Sequence, residues 1–378
     1  MLALAAPSFN QPSETFIRAH MATIAPGKTI LLCEDERGTE ALGCPVLSRL
    51  ERYPRPRNLP ERIINGIRFR WRHRVDPALG GQAEQRVRDY LLDYRPRAVL
   101  AEFGPTACRL RRACIRANVP LYAHFHGYDA TMLGRDAAWR RHYRKLFDDA
   151  AGVIVPSRFL AERLRGLGCP DDRLHVSPNG IDPSTCLPSS REPGLVVAVG
   201  RLVEKKAPHL TIRAFAAVTQ RLPDTQLTMV GDGPLRDLCE AEIAKHGIAE
   251  KVHLLGVQPS ETVRALLSRA QLFVQHSVEA RCGDMESFGV SLIEAMASQV
   301  PVVTTRHNGF VDTVADGETG MLVDEHDVEG MADAMEALLS DPDRAARMGE
   351  AGRARVEAHF THDRTAQRLR DIMGLELG

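Results

Sequence analysis

The feature that most constrains this chain is an alternation of short β-rich runs with amphipathic helical stretches, carried almost from end to end. Strands are predicted at Leu2–Ala6, Thr29–Cys33, Ala98–Ala101, Pro120–Phe125 and Gly152–Val155. A second series is predicted at Leu195–Val199, Leu227–Val230, Val252–Leu255, Leu272–Gln275, Val302–Thr304 and Met321–Val323. Helices are predicted at Gln82–Tyr94, Ser157–Leu167, Pro208–Arg221, Leu235–His246 and Ser260–Arg269, with a helical tail from about His359. Strand followed by helix implies parallel sheets covered on both faces, with ligands taken at the carboxyl ends of the strands. The alternation breaks at Ser177–Gly194, where eighteen residues hold four prolines and two glycines. This reads as a hinge between two Rossmann-like, doubly wound α/β domains facing across a cleft. The expected division is residues 1–182 and 183–361, with a C-terminal helix at about 362–378 packing back on the first domain.

A chain of 378 residues supports two such domains. It has no apolar run of transmembrane length, and its start lacks the basic region and long apolar core of a signal peptide. A cytoplasmic protein is expected. Eight cysteines are scattered without any C-x-x-C, which argues against a zinc site or a disulfide framework. Net charge is zero, yet residues 1–190 carry a balance of +9 and the remainder −9. The basic half is expected to meet an anionic surface or a phosphate-bearing molecule; equally, the two halves can attract each other. Arg52–Arg74 concentrates eight arginines among Leu59, Ile63, Ile64, Ile67, Phe69 and Trp71. Two readings stand open for it: a peripheral contact at the inner face of a membrane, or a solvated excursion whose apolar residues plug the core.

The chemistry concentrates in Glu286-Ser-Phe-Gly-Val-Ser-Leu-Ile-Glu294. Glu286 is expected on the loop feeding a helix, and Glu294 about two turns in, on nearly the same side. Between them lie the first backbone N–H groups of the helix, which attract anions. Acid, phosphate seat, acid is a pattern that fits a nucleotide sugar. Gly200-Arg-Leu-Val-Glu-Lys-Lys206 follows a predicted strand, so Arg201 and Lys206 are candidates to bind a diphosphate and stabilise its charge. His124-Phe-His-Gly-Tyr-Asp129 follows another, with His126 expected to point into the cleft and His124, by alternation, elsewhere. Pro7–Thr15 is a polar loop after the first strand, in which Ser13 can cap the next helix. Arg306-His-Asn-Gly309 is a further candidate to hold sugar or phosphate, or is a plain turn.

Together these residues resemble a retaining glycosyltransferase of the GT-B fold and the large GT4 family, closest to bacterial exopolysaccharide and lipopolysaccharide glycosyltransferases. The resemblance rests on Pro178-Asn-Gly-Ile-Asp182, Gly200-Arg-Leu with Lys206, Gly231-Asp-Gly-Pro234 and Gly283-Asp-Met-Glu286 with Glu294-Ala-Met-Ala297. Ser13-Glu-Thr-Phe-Ile17 and His126-Gly-Tyr-Asp129 carry the narrower match. It implies that Arg201 and Lys206 bind the donor diphosphate and that Glu286 contacts the transferred sugar. It implies that Ser287, Phe288, Gly289 and Val290 present backbone amides to the sugar or phosphates, and that Glu294 holds the ribose. Val257 is placed near the base, His126 beside the reacting sugar, and Ser13, Glu14 and Asp129 on the acceptor side. The family needs no metal or cofactor. The donor is expected to be a UDP-sugar, with a GDP-sugar next, and the acceptor a glycan or polyprenyl-diphosphate-linked saccharide; no nucleic acid is expected. The chain departs from the family at Ala207, where glycine is usual. It reads Gly309-Phe-Val-Asp312 where many relatives read Gly-Ile-Pro-Glu, and its first loop lacks the paired glycines many relatives carry. A non-catalytic nucleotide-sugar-binding homologue, or a phosphorylase or epimerase of the same fold, are the alternatives. A dinucleotide oxidoreductase is disfavoured, since no G-x-G-x-x-G follows the early strands.

Overall fold

The computed structural model describes residues 1–10, 14–50 and 76–376. Ser13 and the arginine-rich segment 52–74 therefore lie outside the described residues. The chain divides into two units, Met1–Ser177 with Thr365–Gly378, and Pro178–Arg364.

Among the described residues, the first unit is built on a parallel sheet of seven strands: β1 Leu2–Ser8, β2 Thr29–Asp35, β3 Val46–Leu47, β4 Ala98–Glu102, β5 Leu121–His124, β6 Gly152–Val155 and β7 Leu174–Val176. Their spatial order is β3-β2-β1-β4-β5-β6-β7. Successive residues serve opposite faces. Ala3, Ala5, Ile30 and Leu32 join one apolar cluster, whereas Leu2, Leu4, Leu31 and Cys33 join another. Both faces are buried, which is why these strands read as continuous apolar runs. The tail helix His362–Met373 puts Ala366, Leu369 and Met373 into the second of these clusters. Arg370 fixes it there by donating to the carbonyl of Thr23 at 3.0 Å.

The second unit has six parallel strands: β8 Leu195–Val199, β9 Gln226–Val230, β10 Val252–Leu254, β11 Leu272–Gln275, β12 Val302–Thr305 and β13 Gly320–Val323, ordered β10-β9-β8-β11-β12-β13. The helix Pro208–Arg221 starts on a proline at its first position, where the missing N–H costs nothing. It buries Leu210, Ile212, Phe215 and Val218. Full burial of such side chains contributes roughly 1.5–3 kcal/mol each. In both units the strand order reverses beside the first strand, and β4, β8 and β11 deliver their carboxyl ends to the residues that matter below. Among the described residues, no helix is long and apolar enough to cross a membrane.

The entry position of helix Thr15–Thr23 is Glu14, whose side chain makes no capping bond. One expectation needs correction. His124 does not face away from His126. Residues two apart on an extended chain share a face, so alternation does not turn His124 away from His126, and the two rings lie 4.1 Å apart.

Candidate active site

In the second unit, the loop after β8 is pinned by close backbone contacts. Gly231 has φ +132°, and a Cβ there would lie 2.0 Å from the carbonyl oxygen of Gly200, so only glycine fits. Leu202 donates its N–H to the carbonyl of Asp232 at 3.0 Å. Arg201 is held at this turn with its side chain exposed. Gly200, Arg201, Lys206, Pro208, Thr211 and Gln275 line one recess at the strand ends. Ala207 adopts φ 38°, ψ 49°, a left-handed conformation that explains the usual glycine; its small side chain is buried completely.

Lys206 and Glu286 meet here. The ammonium lies 3.0 Å from Glu286 Oε2 and 3.3 Å from Gln275 Oε1, and both charged side chains are largely buried. Gln275, the last residue of β11, also accepts from Ser291 Oγ at 3.0 Å and donates to Ser277 Oγ at 3.0 Å. It thereby ties Lys206 to the first turn of helix Val290–Ala297. The cationic loop is laced to the acidic one by Lys205 with Asp284 at 3.1 Å and by Val278 N–H to Lys205 O at 3.0 Å. Burial pushes the Glu286 carboxyl up, but Lys206 and Lys205 outweigh it and hold the pKa at about 2.

The backbone of Glu286 is fixed separately. His307 is fully buried; its Nε2 accepts the Glu286 N–H at 3.1 Å, while its Nδ1 donates to Glu325 Oε1 at 2.5 Å. The loop Arg306–Gly309 therefore supports Glu286 through His307, and Arg306 pairs with Asp316 at 2.8 Å. Gly289 begins the helix at φ +80°, and a Cβ there would meet the Phe310 ring at 2.6 Å. Ser287 and Phe288 are buried, and the Phe288 ring packs edge-on against Phe360 at 5.6 Å. What the stretch Phe288–Val290 presents is thus its backbone at a helix N-terminus, the partially positive end. Glu294 lies in the second turn, where burial pushes its carboxyl up to about 7 against a weaker pull from Arg264. Val257, just past the end of β10, is 72% exposed.

In the first unit, Asp129 is buried and accepts from the backbone N–H groups of Gly104 at 3.0 Å, His126 at 3.1 Å, Gly127 at 2.9 Å and Ala130 at 3.1 Å. Its carboxylate thereby shapes the His126 loop. His126 directs Nε2 at Glu102 Oε2, 2.6 Å away. Sequence reasoning brought out neither Glu102 nor Gln275. Both are polar residues closing a buried strand at its carboxyl end, and that position was the available signal.

Two family models cover most of the chain. The one described as glycosyl transferases group 1 matches residues 187–355, and the one described as glycosyltransferase family 4 matches residues 37–185. The GDP-mannose-dependent alpha-(1-6)-phosphatidylinositol monomannoside mannosyltransferase of Mycolicibacterium smegmatis is 33% identical over 293 residues, 74% of each chain. The amylovoran biosynthesis glycosyltransferase AmsK of Erwinia amylovora is 29% identical over 253 residues, 66% of this chain and 62% of that one. Among solved structures, Anabaena HepE in complex with UDP superposes with a TM-score of 0.81 at 18% identity, covering 99% of both chains. The two doubly wound sheets are thus those of the GT-B fold.

Proposed function

We propose, for a chain that belongs to glycosyltransferase family 4, that it moves a sugar from a nucleoside-diphosphate donor to a glycan or polyprenyl-diphosphate-linked saccharide, with retention at the anomeric carbon. The observation that carries this reading is the Lys206–Glu286 pair, set at strand ends beside the N-terminus of helix Val290–Ala297. Lys206, Arg201 and the first amides of that helix take the diphosphate. As the bond from the anomeric carbon to the diphosphate breaks, they stabilise the charge left on the leaving oxygen. The acceptor oxygen bonds to the same face of that carbon, and its proton passes to the departing diphosphate. Glu286, ionised, accepts from hydroxyls of the transferred sugar; His126 is assigned to the reacting sugar as a hydrogen-bonding group. Glu294 takes the ribose hydroxyls. A UDP-sugar is the first choice and a GDP-sugar the second; HepE was crystallised with UDP, and the mycobacterial relative uses GDP-mannose. The amylovoran relative favours a place in surface polysaccharide assembly.

The test is release of UDP from UDP-glucose, or GDP from GDP-mannose, on addition of polyprenyl-diphosphate-linked saccharide, with the product anomer read by NMR. Binding of donor without transfer to any saccharide supports a non-catalytic homologue. A requirement for inorganic phosphate supports a phosphorylase.

Glu294 makes this binding dependent on pH. Its carboxyl titrates near 7 in the fold, above the ordinary value of 4.5. Between those values the folded chain keeps a proton that the unfolded chain has lost, so stability falls as pH rises through this window. Glu294→Gln removes that fall. It is expected to melt like the parent at pH 5 and higher at pH 8, by at most about 3 kcal/mol. UDP, which needs the carboxylate as an acceptor, is expected to bind the variant more weakly at pH 8. Parallel melting curves for parent and variant across this range would contradict the assignment.

A further inference from the structure

Glu286 rides on the loop between β11 and helix Val290–Ala297, and that loop is tied on two sides. On one side stands the cationic loop. Val278 donates its N–H to the Lys205 carbonyl at 3.0 Å, Arg281 donates its N–H to Glu204 Oε1 at 3.0 Å, and Lys205 pairs with Asp284 at 3.1 Å. On the other side stands Glu325, just past the end of β13. Its Oε2 accepts the Glu279 N–H at 3.0 Å, and its Oε1 lies 2.5 Å from His307 Nδ1. His307 in turn takes the Glu286 N–H at 3.1 Å. One carboxylate therefore holds this loop at two points, at Glu279 directly and at Glu286 through an imidazole.

The bonding fixes where the imidazole proton sits. A backbone N–H can only donate, so His307 Nε2 accepts. Asn308 Nδ2, 2.8 Å from the same nitrogen, is a second donor aimed at it. With Nε2 unprotonated, the ring carries its proton on Nδ1, towards Glu325. Both oxygens of Glu325 are thus engaged by donors. The backbone beside Glu325 is fixed as well. His326 holds φ 67°, a left-handed value, and donates its N–H at 2.9 Å to Nε2 of the buried His276, the first residue after β11.

We propose that Glu325 is a positioning residue for sugar transfer: it fixes His307 as its Nδ1–H tautomer and sets the loop that presents Glu286 to the transferred sugar. The proposal rests on the sugar-transfer reading above. A carboxylate suits this place because it offers two acceptors and no donor. Glutamine can keep only one of the two ties. If its oxygen meets Glu279, its NH2 faces His307, drives the ring proton to Nε2 and sets it against the Glu286 N–H. If its oxygen meets His307, its NH2 faces the Glu279 N–H and that tie is lost. In both cases Lys206 keeps its bond to Gln275.

The test compares Glu325→Gln with Glu325→Asp, which retains both acceptors. The glutamine variant should lose about ten- to a hundredfold in kcat, the effect of displacing a group at the reacting centre by about an ångström. The aspartate variant should regain part of that loss. UDP affinity, read by titration calorimetry, should match the parent in both. Nitrogen-15 correlation spectra, with the His307 signal identified by its loss in His307→Gln, should show an Nδ1–H ring in the parent. Parental kcat in a folded Glu325→Gln, no recovery in Glu325→Asp, equal losses of kcat and UDP affinity, or an Nε2–H ring in the parent would each overturn the proposal. If the glutamine variant does not fold, the parent spectrum still decides the tautomer. If the parent transfers no sugar from any donor, the functional reading fails, while the same spectrum still decides whether the His307 proton faces Glu325.

Discussion

Replacing Lys206 with alanine will lower sugar transfer about a hundredfold, the effect of losing roughly 3 kcal/mol of transition-state charge stabilisation. The size follows from where the ammonium sits. It is largely buried, fixed by Glu286 Oε2 at 3.0 Å and Gln275 Oε1 at 3.3 Å, and so needs little reorganisation to meet charge on a leaving diphosphate. Arg201 at the same turn is a poorer substitute, because its side chain is exposed and its charge is met by water. The substitution also strips Glu286 of its main counter-ion. Burial will then dominate, and the carboxyl pKa will climb from about 2. The loss of activity should therefore be steepest at low pH. Steady-state kinetics across pH 5.5–8.5 read both the loss and its slope, and parental turnover in the variant would remove Lys206 from the mechanism.

Glu286→Gln is expected to separate the two ends of the donor. The amide keeps the shape but loses the charge that accepts from the sugar hydroxyls, so transfer should fall by about ten- to a hundredfold. Affinity for UDP should hold or tighten, because Lys206 is released from its internal partner to meet phosphate. The same carboxylate should leave no mark on the acid limb of the parent's rate profile. Its stabilising contribution is present above the ordinary value of 4.5 and is lost only as pH falls towards 2. Titration calorimetry with UDP, run beside the transfer assay, checks the split. Equal losses in UDP affinity and in turnover would place Glu286 at the diphosphate instead of the sugar.

Much of the fold was legible because both faces of each sheet are buried. Leu2 and Leu4 serve one cluster and Ala3 and Ala5 the other, so the strands announce themselves as apolar runs. The two strands that escaped are edges. Val46–Leu47 is two residues long and half-buried, and Leu174–Val176 ends with Val176 39% exposed. Neither needs the continuous apolar pattern that marks a central strand. Lys206 and Glu286 could be named from their motifs, but their contact spans eighty residues of sequence that no local pattern connects. The supporting groups were harder still. Glu102 reads as the polar end of an apolar strand until His20, 82 residues earlier, arrives beside it. His307 sat in a loop read as a possible ligand holder, and its buried bond to the Glu286 backbone appears only once β12 is placed next to β11. His124 and His126 stand two apart, and a period of two puts both on one face, so the expectation that His124 faces elsewhere inverts the rule.

The central claim is that the second unit seats a nucleoside diphosphate on Lys206 at the entrance of helix Val290–Ala297. A thermal-shift screen of UDP- and GDP-sugars on the parent and on Lys206→Ala tests it most directly. A ligand that binds only the native chain adds about 2.7 kcal/mol at about 100 times its dissociation constant, which moves the melting temperature by several degrees. Such a shift is expected for the parent with a UDP-sugar, or failing that a GDP-sugar, and a much smaller one for the variant. The same shift in both proteins, or none in the parent with any nucleotide sugar, would contradict it.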